Sequence, residues 1–599
     1  MAHIFIEPIP EVVPTLELAQ TPLYKILDKN LDLETRTQVV YDRARALSRA
    51  YALTAEDVIY LRPKFWALHM DLIAPKDAGA FTLVTIQYNL VAGTVGPHAL
   101  RRPELRPLLQ QILDFDVSAQ FLMSEVGHGL DAPHMETTAT LLPDGSFDLH
   151  TPSPRAAKHM PPTGPFGNMP RVAVVMARLM VNGEDHGIRP FIAALNDGKE
   201  MCKGISAKLM PSRAGLNPVD HALTYFDHVH LPKEALLGSL DKPRDLRQNF
   251  LDIAWRVSVG SLALSVLAVP ALRNAVYIAG KYSIRRTVTG PDGKPLPIIA
   301  FRTQQLPILH TLAQTYVLEA YSKDTIQRFL SPDLDPRVRH GITAVLKTVM
   351  VEHCQSDLFS LAERCGAQGL FEHNEIIQIQ LASRGIAIAE GDVLALCIRK
   401  CLDPADDDLD TESSLPGLAS ELLIGRYDMP EPADPSSLLA RHELGLFEET
   451  RTLVMNLGSG HRTEAFNRLV LPLCQPLIEA IGHRMAYDAA VKAKVPQDLV
   501  DMYVANALKH DPTWYIEHAG LTRREIAQME DRAASAMLPK LEVMLEATGS
   551  APYVHAPIVS DENWKAFLDT LPHFGGNAVV NVIPGTEQGV ADTSAAPKL

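Results

Sequence analysis

The sequence lacks the features that mark secreted, membrane-spanning and nucleic-acid-binding proteins. Its first residues have neither the basic start nor the long apolar run of a secretory signal. The longest uncharged helical stretch, from Val257 to Leu272, is too short to cross a bilayer, so we interpret it as a core helix. The formal net charge is -15 and no long basic run is present, which argues against a general nucleic-acid binder. We expect no membrane span and no nucleic-acid partner.

Cysteine is scarce, and its spacing carries no metal signature. The chain has six cysteines and no CxxC pair. Cys397 and Cys401 lie one helical turn apart, but no nearby histidine or cysteine completes a zinc-binding set. We therefore predict no metal site. Cysteines spread in this way favour a reducing compartment.

The last three residues are Pro-Lys-Leu. They are similar to the peroxisomal signal Ser-Lys-Leu with its first residue changed. From this tripeptide we expect a peroxisomal location, and otherwise a cytoplasmic one. The alternative interpretation is that the stretch "EQGVADTSAAPKL" is a disordered tail with no targeting role.

The chain is too long for one ordinary domain, since it has 599 residues. Apolar residues recur at helical spacing except between about 120 and 235, where strand-like runs surround turn signals such as Pro143-Asp144-Gly145. We predict a mostly helical α+β protein with a barrel-like middle β domain. The predicted parts are an N-terminal α-helical domain (1–117), the middle β domain (118–240), a helical bundle (241–405), a linker (406–436), a C-terminal helical domain (437–572) and a flexible tail (573–599).

Two local predictions can be checked against the structure. The stretch from His221 to Pro232, "HALTYFDHVHLP", predicts one strand. Pro270 lies in a long apolar helical pattern and lacks an amide hydrogen, so it should kink or interrupt the helix.

Glu390 is the candidate catalytic residue because its neighbours are unusual. It is the single acid in the run "GIAIAE", which is otherwise small or aliphatic. A carboxylate in such surroundings is rarely buried without a partner or a role, and burial raises its pKa toward the range useful to a general base. Two other interpretations stay open. Glu390 could pair with an arginine such as Arg384, or it could cap the helix that begins near Gly391.

A series of motifs between Phe121 and Arg399 resembles the acyl-CoA oxidases of the acyl-CoA oxidase and dehydrogenase superfamily. The stretch "SEVGHGLD" followed by "ETTAT" is similar to the family's Thr-Glu-Leu-Gly-His-Gly-Ser-Asn and Glu-Thr-Thr-Ala-Thr. Further matches follow in the family's order: "VVMARLMVNGEDHGIRPFI", "FDHVHLPKEALLG", "YSIRRTV", "RTQQLPIL", "RCGAQGL" and "AEGD".

The resemblance implies an FAD enzyme that introduces a trans double bond between C2 and C3 of an acyl-CoA. Glu390 matches the family's catalytic glutamate, which removes the proton next to the thioester, while FAD accepts the hydride from the next carbon. The resemblance also implies reoxidation by O2 with release of H2O2, in fatty acid β-oxidation. Acyl-chain length and identity do not follow from it.

The resemblance further implies which residues bind the ligands. Ser124 and Gly391 would contact the substrate. The residues implied in FAD binding are Ser124, Gly127, Gly129, Gly164, Gly167, Arg285, Gln305, Gly366 and Gly369. In the family the positions of Gln305 and of the turn from Cys365 to Gly369 contact the FAD of a neighbouring subunit, which implies a homodimer.

Four positions depart from the family pattern. Leu130 and Asp131 replace a serine and an asparagine, Ala389 replaces the tyrosine before the base, and Val393 replaces an asparagine. These departures favour a specialised acyl thioester, or a flavin oxidase or desaturase of a secondary pathway. Two alternatives remain: a dehydrogenase that passes electrons to a carrier protein, and a non-catalytic scaffold relative.

Overall fold

The computed structural model describes residues 14–25, 31–399, 431–457 and 463–578. Helices, then strands, then two further sets of helices follow one another along the chain. This order confirms the predicted α+β class with its mostly helical composition. Most of the predicted linker and the predicted flexible tail from residue 579 onward lie outside the described residues, as does the Pro-Lys-Leu end.

The N-terminal region is helical, and short polar caps define where its helices begin. Asp32 accepts a hydrogen bond from the backbone N–H of Thr35, and Thr54 and Asp57 form a reciprocal capping box. A π-helix, Ile86–Ala92, separates two of the α-helices. The α-helices are α1 Leu16–Gln20, α2 Leu33–Tyr51, α3 Ala55–Ile59, α4 Pro63–His69, α5 Ala78–Thr85, α6 Gly93–Arg101 and α7 Arg106–Leu113.

The middle region is a curved six-stranded sheet beside a three-stranded one. The larger sheet has the order β1-β5-β2-β3-β9 with β6 beside β5, and the smaller has the order β4-β8-β7. The hairpin predicted around Pro143-Asp144-Gly145 is confirmed, since β2 and β3 pair antiparallel across it. The strands are β1 Ser118–Leu122, β2 Thr138–Leu141, β3 Phe147–His150, β4 Lys158–Pro162, β5 Arg171–Val181, β6 Glu184–Asn196, β7 Ile205–Leu209, β8 His221–Phe226 and β9 Val229–Leu231.

The single strand predicted from His221 to Pro232 is wrong. The segment forms two strands, β8 and β9, in different sheets. The chain turns between them at His228, which has a φ of +49°. A residue in this left-handed region ends a strand, because extended backbone requires a negative φ.

The helical bundle carries the longest helices of the chain. The long apolar pattern is interrupted at Leu267, between Val266 and Ala268, and Pro270 follows as the third residue of the next helix. This agrees with the predicted effect of Pro270, whose missing N–H would face Val266 in a continuous helix. The elements are α8 Leu246–Ile253, α9 Trp255–Val266, α10 Ala268–Arg285, β10 Thr287–Thr289, β11 Pro295–Pro297, α11 Arg302–Leu330, α12 Pro336–Arg364, α13 Ile376–Ser383 and α14 Val393–Arg399.

A second set of helices packs on this bundle. Helix α17 contacts α11 and α12, and α18 contacts α11. The bundle and the second set therefore share one apolar core. The helices of the second set are α15 Leu438–Leu457, α16 Glu464–Leu469, α17 Leu471–Lys492, α18 Gln497–Ala507, α19 Pro512–His518, α20 Arg523–Met537, α21 Leu541–Ala547 and α22 Asp561–Leu568.

Two helical stretches are long and apolar enough to cross a membrane by length and composition, Ala78–Arg101 and Trp255–Arg285. Their most apolar windows are 78% and 89% buried inside the protein. Both therefore serve as core helices of the fold, which agrees with the interpretation of Val257 to Leu272.

Candidate active site around Glu390

Glu390 lies in a strained turn between α13 and α14. Its φ is +54°, and that of the next residue, Gly391, is +109°. A non-glycine residue in the left-handed region costs of order 1–3 kcal/mol and persists only where its surroundings hold it. Lys347 of α12 stabilises this turn, since its Nζ donates to the carbonyl oxygens of Ala389 at 2.6 Å and Gly391 at 2.5 Å.

The turn also decides between the three interpretations of Glu390. Asp392 caps α14, because its Oδ1 accepts a hydrogen bond from the backbone N–H of Ala395 at 2.9 Å. Arg384 is exposed, and the charges that act on the Glu390 carboxyl group are those of Lys347 and Arg256. Glu390 is thus neither the helix cap nor the partner of Arg384.

The carboxyl group of Glu390 points inward, onto the backbone of α9. A Cβ atom built on Gly260 would lie 1.2 Å from Oε2 of Glu390. Asn89 Nδ2 approaches the same oxygen at 3.5 Å. Burial raises the pKa of Glu390 to about 8, and the positive charges of Lys347 and Arg256 limit the rise. A carboxyl group with this pKa exchanges protons near neutral pH.

Arg256 and Asn89 join the helix α9 to the π-helix. Nε of Arg256 donates to the carbonyl oxygen of Asn89 at 2.7 Å, and Nδ2 of Asn89 donates to the carbonyl oxygen of Arg256 at 3.0 Å. Gly93 makes room for the guanidinium, since a Cβ there would lie 2.0 Å from Nε. Single-turn π-helices often occur at functional sites. Here the π-helix carries Asn89 to the Glu390 carboxyl.

The two cations beside Glu390 are themselves buried. Burial lowers the pKa of Lys347 to about 8 and that of Arg256 to about 9, while the charge of Glu390 opposes both shifts. Neither cation makes a direct ion pair with Glu390; Lys347 is occupied by backbone oxygens and Arg256 by the carbonyl oxygens of Asn89 and Val58. The site therefore supplies positive potential without neutralising the carboxylate by contact.

Sequence reasoning missed Asn89, Lys347 and the role of Arg256. Lys347 did carry a signal, because it lies in the apolar run "AVLKTVM" of a helix. Arg256 directly precedes the apolar stretch that begins at Val257, and its local sequence gives no sign of a contact with Asn89. Nothing in the local sequence marks Asn89, since its role depends on a segment 301 residues away.

The loop after β1 is held by a buried ion pair. Lys158 Nζ lies 3.0 Å from Oε1 of Glu125, and both side chains are fully buried. Glu125 also accepts backbone hydrogen bonds from Glu136 and Thr137 at 2.7 and 3.0 Å. Glu125 therefore fixes the loop that carries Ser124.

Part of the hydrogen-bonding capacity expected of this loop is already used. The backbone N–H groups of Val126 and Gly127 donate to Ala157 and Arg155. Ser124 is part-buried, and a Cβ on Gly129 would meet nothing within 4 Å. The Ser124 hydroxyl and the open backbone at Gly129 remain candidate ligand contacts.

Gly164 and Gly167 face the protein's own side chains. A Cβ on Gly164 would lie 3.0 Å from Oδ2 of Asp220, and one on Gly167 would lie 2.8 Å from the ring of Tyr41. Gly167 has a φ of +78°, which also favours glycine. These contacts give both glycines a structural role, and their contact with a flavin stays a prediction.

Arg285, Gln305 and Gly366 meet at one end of the bundle, where α10 and α12 end and α11 begins. Gln304 ties the three helices together, because its Nε2 donates to Ser283 Oγ and to the carbonyl oxygen of Arg364, both at 2.8 Å. From Lys347 to Arg364 the rise along α12 is about 25 Å. These residues thus lie far from the Glu390 of the same chain.

The side chains at this end are held by different partners. Arg285 pairs through Nε with Asp561 at 2.5 Å, and Asp561 is itself largely exposed. Gln305 Nε2 donates to the carbonyl oxygen of Ile299 at 2.8 Å. Gly366 has a φ of +57° and open space around it, whereas a Cβ on Gly369 would lie 2.0 Å from the carbonyl oxygen of Ala362.

Comparison with known proteins finds a family match within the bundle. Residues 260–401 match the family model described as acyl-CoA oxidase, C-alpha1 domain. This segment includes Arg285, Gln305, Lys347 and Glu390.

Curated relatives extend the similarity. The human peroxisomal acyl-coenzyme A oxidase 3 is 28% identical over 296 residues, which are 45% of this chain and 42% of the relative. The Arabidopsis thaliana peroxisomal acyl-coenzyme A oxidase 1 is 26% identical over 414 residues, 63% of this chain and 62% of the relative. The chain thus matches less than two thirds of the length of these relatives.

Solved structures share the fold over nearly the whole chain. The acyl-CoA oxidase 1 of Yarrowia lipolytica has a TM-score of 0.76 at 17% identity and covers 94% of this chain and 90% of its own. The acyl-CoA oxidase 1 of Caenorhabditis elegans, in complex with FAD and ATP, has a TM-score of 0.66 at 17% identity, with 94% and 95% covered. The family match over residues 260–401 and the curated relatives make this chain similar to the acyl-CoA oxidases, and the solved structures show that it shares their fold.

Proposed function

We propose that the protein oxidises an acyl-CoA, or a related acyl thioester, to the trans-2-enoyl product, with Glu390 as the base that removes the α-proton. One observation carries the proposal. A carboxyl group lies against the α9 backbone, and burial raises its pKa to about 8. The names of the curated relatives support the same class of substrate.

Glu390 must lose its own proton before it can accept one from the substrate. Lys347 and Arg256 favour the ionised form by their charge, while burial keeps the carboxylate basic. Asn89 and Gly260 set its direction, and Lys347 holds the turn on either side of it. Ser124 and the backbone at Gly391 are the groups that we expect to contact the thioester.

We propose FAD as the cofactor, which when bound supplies the acceptor for the hydride from the β-carbon. The donor types fit it. Arg285 is a guanidinium held by an exposed carboxylate that a phosphate could replace, and Gly366 offers open backbone at a tight turn. A relative of the same fold binds FAD. The other residues that we expect to hold it are Ser124, Gly127, Gly129, Gly164, Gly167, Gln305 and Gly369.

We further propose that the protein is a homodimer in which each FAD is held by two chains. Arg285, Gln305 and Gly366 lie at the end of the bundle where α12 ends, and the rise along α12 from Lys347 to that end is about 25 Å. This position suits residues that serve the partner's site. Exposed apolar side chains surround the same end of the bundle: Leu370 is 73% exposed, Phe371 52% and Phe301 46%. Such a patch is typical of a protein interface.

We place the reaction in the peroxisome, because the relatives from human and Arabidopsis are named as peroxisomal. We expect O2 to take up the electrons, with H2O2 as the second product. A dehydrogenase would instead pass them to a carrier protein.

The test is a spectrum followed by turnover. The purified protein should show flavin absorption, acyl-CoAs of graded chain length should bleach it without oxygen, and admission of O2 should yield H2O2. Glu390→Gln should keep the flavin and lose activity about 10²–10⁴-fold. Glu517→Gln, an exposed position on α19, is the matched control. A colourless protein, or full turnover in Glu390→Gln, would contradict the proposal, and bleaching without H2O2 would indicate a dehydrogenase.

A further inference from the structure

Glu352, His483 and His510 form a cluster where the second set of helices meets the bundle. Glu352 lies on α12, His483 on α17, and His510 three residues after the end of α18. Oε1 of Glu352 accepts a hydrogen bond from Nδ1 of His510 at 2.6 Å, and Oε2 lies 3.6 Å from Nε2 of His483. One donor atom from each residue lies within 4.8 Å of the other two.

Two of these atoms are buried and have no hydrogen-bond partner. They are Oε2 of Glu352 and Nε2 of His483, and His483 is 3% exposed. Buried polar atoms in native proteins are nearly always satisfied. The two atoms face each other across a gap that is too long for a hydrogen bond. A cation between them would satisfy both.

Further polar groups surround the cluster. The imidazole of His353 packs against those of His483 and His510, with ring centroids 5.2 and 5.5 Å apart. The carboxyl group of Glu479 is close enough for Glu352 to act on it electrostatically. An ion of charge +2 would offset two neighbouring carboxylates.

We propose that Glu352, His483 and His510 bind one divalent transition-metal ion of the zinc type. Two imidazoles and one carboxylate are donors that Zn²⁺ accepts, with water in the fourth position. His510 is part-exposed and gives the ion a path from solvent. Because the ligands come from α12, α17 and the segment after α18, the ion ties the second set of helices to the bundle.

This proposal differs from the absence of a metal site predicted from the sequence. That prediction rested on local spacing around Cys397 and Cys401. The three ligands here are 131 and 27 residues apart, so no short motif contains them.

The experiment measures zinc in the full-length protein. After treatment with a chelator and reloading with excess Zn²⁺, the wild-type protein should retain about one ion per chain through gel filtration. His510→Gln and His483→Gln should reduce zinc to background. His442→Gln is the matched control, because His442 is buried in the same set of helices and pairs with a single carboxylate, that of Asp511 at 3.3 Å. It should retain the zinc.

A second measurement uses Co²⁺ in place of Zn²⁺. Wild-type protein should show the visible absorption of cobalt bound to imidazole and carboxylate, and His510→Gln should not. Since His510 is part-exposed, this variant does not depend on filling a buried space. Zn²⁺ should also raise the Tm of wild-type protein and leave that of His510→Gln unchanged.

Three results would overturn the proposal. Wild-type protein could bind no zinc above background, or His510→Gln could retain it. Zinc could also be lost in His228→Gln, which would place the metal in the exposed group of His150, Asp227 and His228 on the β domain.

Discussion

Gly260 and Glu390 share a contact so close that any side chain at position 260 would displace the Glu390 carboxyl group. A Cβ there would lie 1.2 Å from Oε2 of Glu390. The α9 backbone therefore forms a wall against which the carboxyl group is set. This contact restricts the directions in which the base can point, independently of any charged partner.

Gly260→Ala should reduce kcat about 10- to 100-fold, because the added methyl group must displace the carboxyl group, and a shift of about 1 Å in a reacting group has an effect of this size. The measurement is steady-state turnover with flavin content recorded alongside. Ser261→Ala is the control, since its buried hydroxyl has no hydrogen-bond partner. Unchanged kcat in Gly260→Ala would mean that Glu390 is not the base.

The activity should depend on pH through Glu390. Its pKa is raised to about 8, so the carboxyl group is mostly protonated at neutral pH. We expect kcat/KM to rise about tenfold per pH unit below this value and to level off above it. A profile that is flat from pH 6 to 9 would contradict the assignment.

The free energy of unfolding should fall as pH rises, whereas kcat/KM should rise. An unfolded glutamate ionises near pH 4.5, whereas folded Glu390 keeps its proton to about pH 8. The folded state thus binds more protons in this window, and its stability falls as pH rises. Glu390→Gln lacks this titrating group. The free energy of unfolding of the variant minus that of wild type should therefore be about 2–4 kcal/mol larger at pH 8.5 than at pH 5. Urea unfolding at both pH values measures it. An equal difference at the two pH values would argue against the raised pKa.

Lys347→Met should move the pH profile of kcat/KM to higher pH. The charge of Lys347 lowers the pKa of Glu390 and so opposes the rise caused by burial. Without this charge the pKa of Glu390 should be higher. The variant should also lose kcat, because the carbonyl oxygens of Ala389 and Gly391 lose their donor. Lys323→Met, on the exposed side of α11, should leave the profile unchanged. A midpoint that does not move in Lys347→Met would exclude this coupling.

Phe371→Asp should weaken the proposed dimer and lower the FAD content. The side chain is exposed in the segment that follows Gly366, and a charge there opposes an apolar interface. Light scattering and the flavin-to-protein absorbance ratio measure both effects. Leu100→Asp is the control, since Leu100 is 53% exposed on α6 of the N-terminal region. A Phe371→Asp variant that stays dimeric with full flavin would exclude this surface.

The sequence was informative where function depends on one short segment. Glu390 stood out because a single acid interrupts an apolar run, and the order of helical and strand-like patterns predicted the fold class. The surroundings of Glu390 were not predictable, since Asn89, Arg256, Gly260 and Lys347 come from separate helices. Local pattern describes one element at a time, whereas the pKa of a buried group depends on every element around it.

The π-helix Ile86–Ala92 limits which single-residue deletions this protein can tolerate. An α-helix turns by about 100° per residue, so deleting one residue to make the helix regular would rotate all that follows by that angle. If the deletion lay before Asn89, its amide would leave Oε2 of Glu390; if after, Gly93 would no longer accommodate Arg256. The wide turn therefore keeps Asn89 in register with Glu390 and Gly93 in register with Arg256 at the same time.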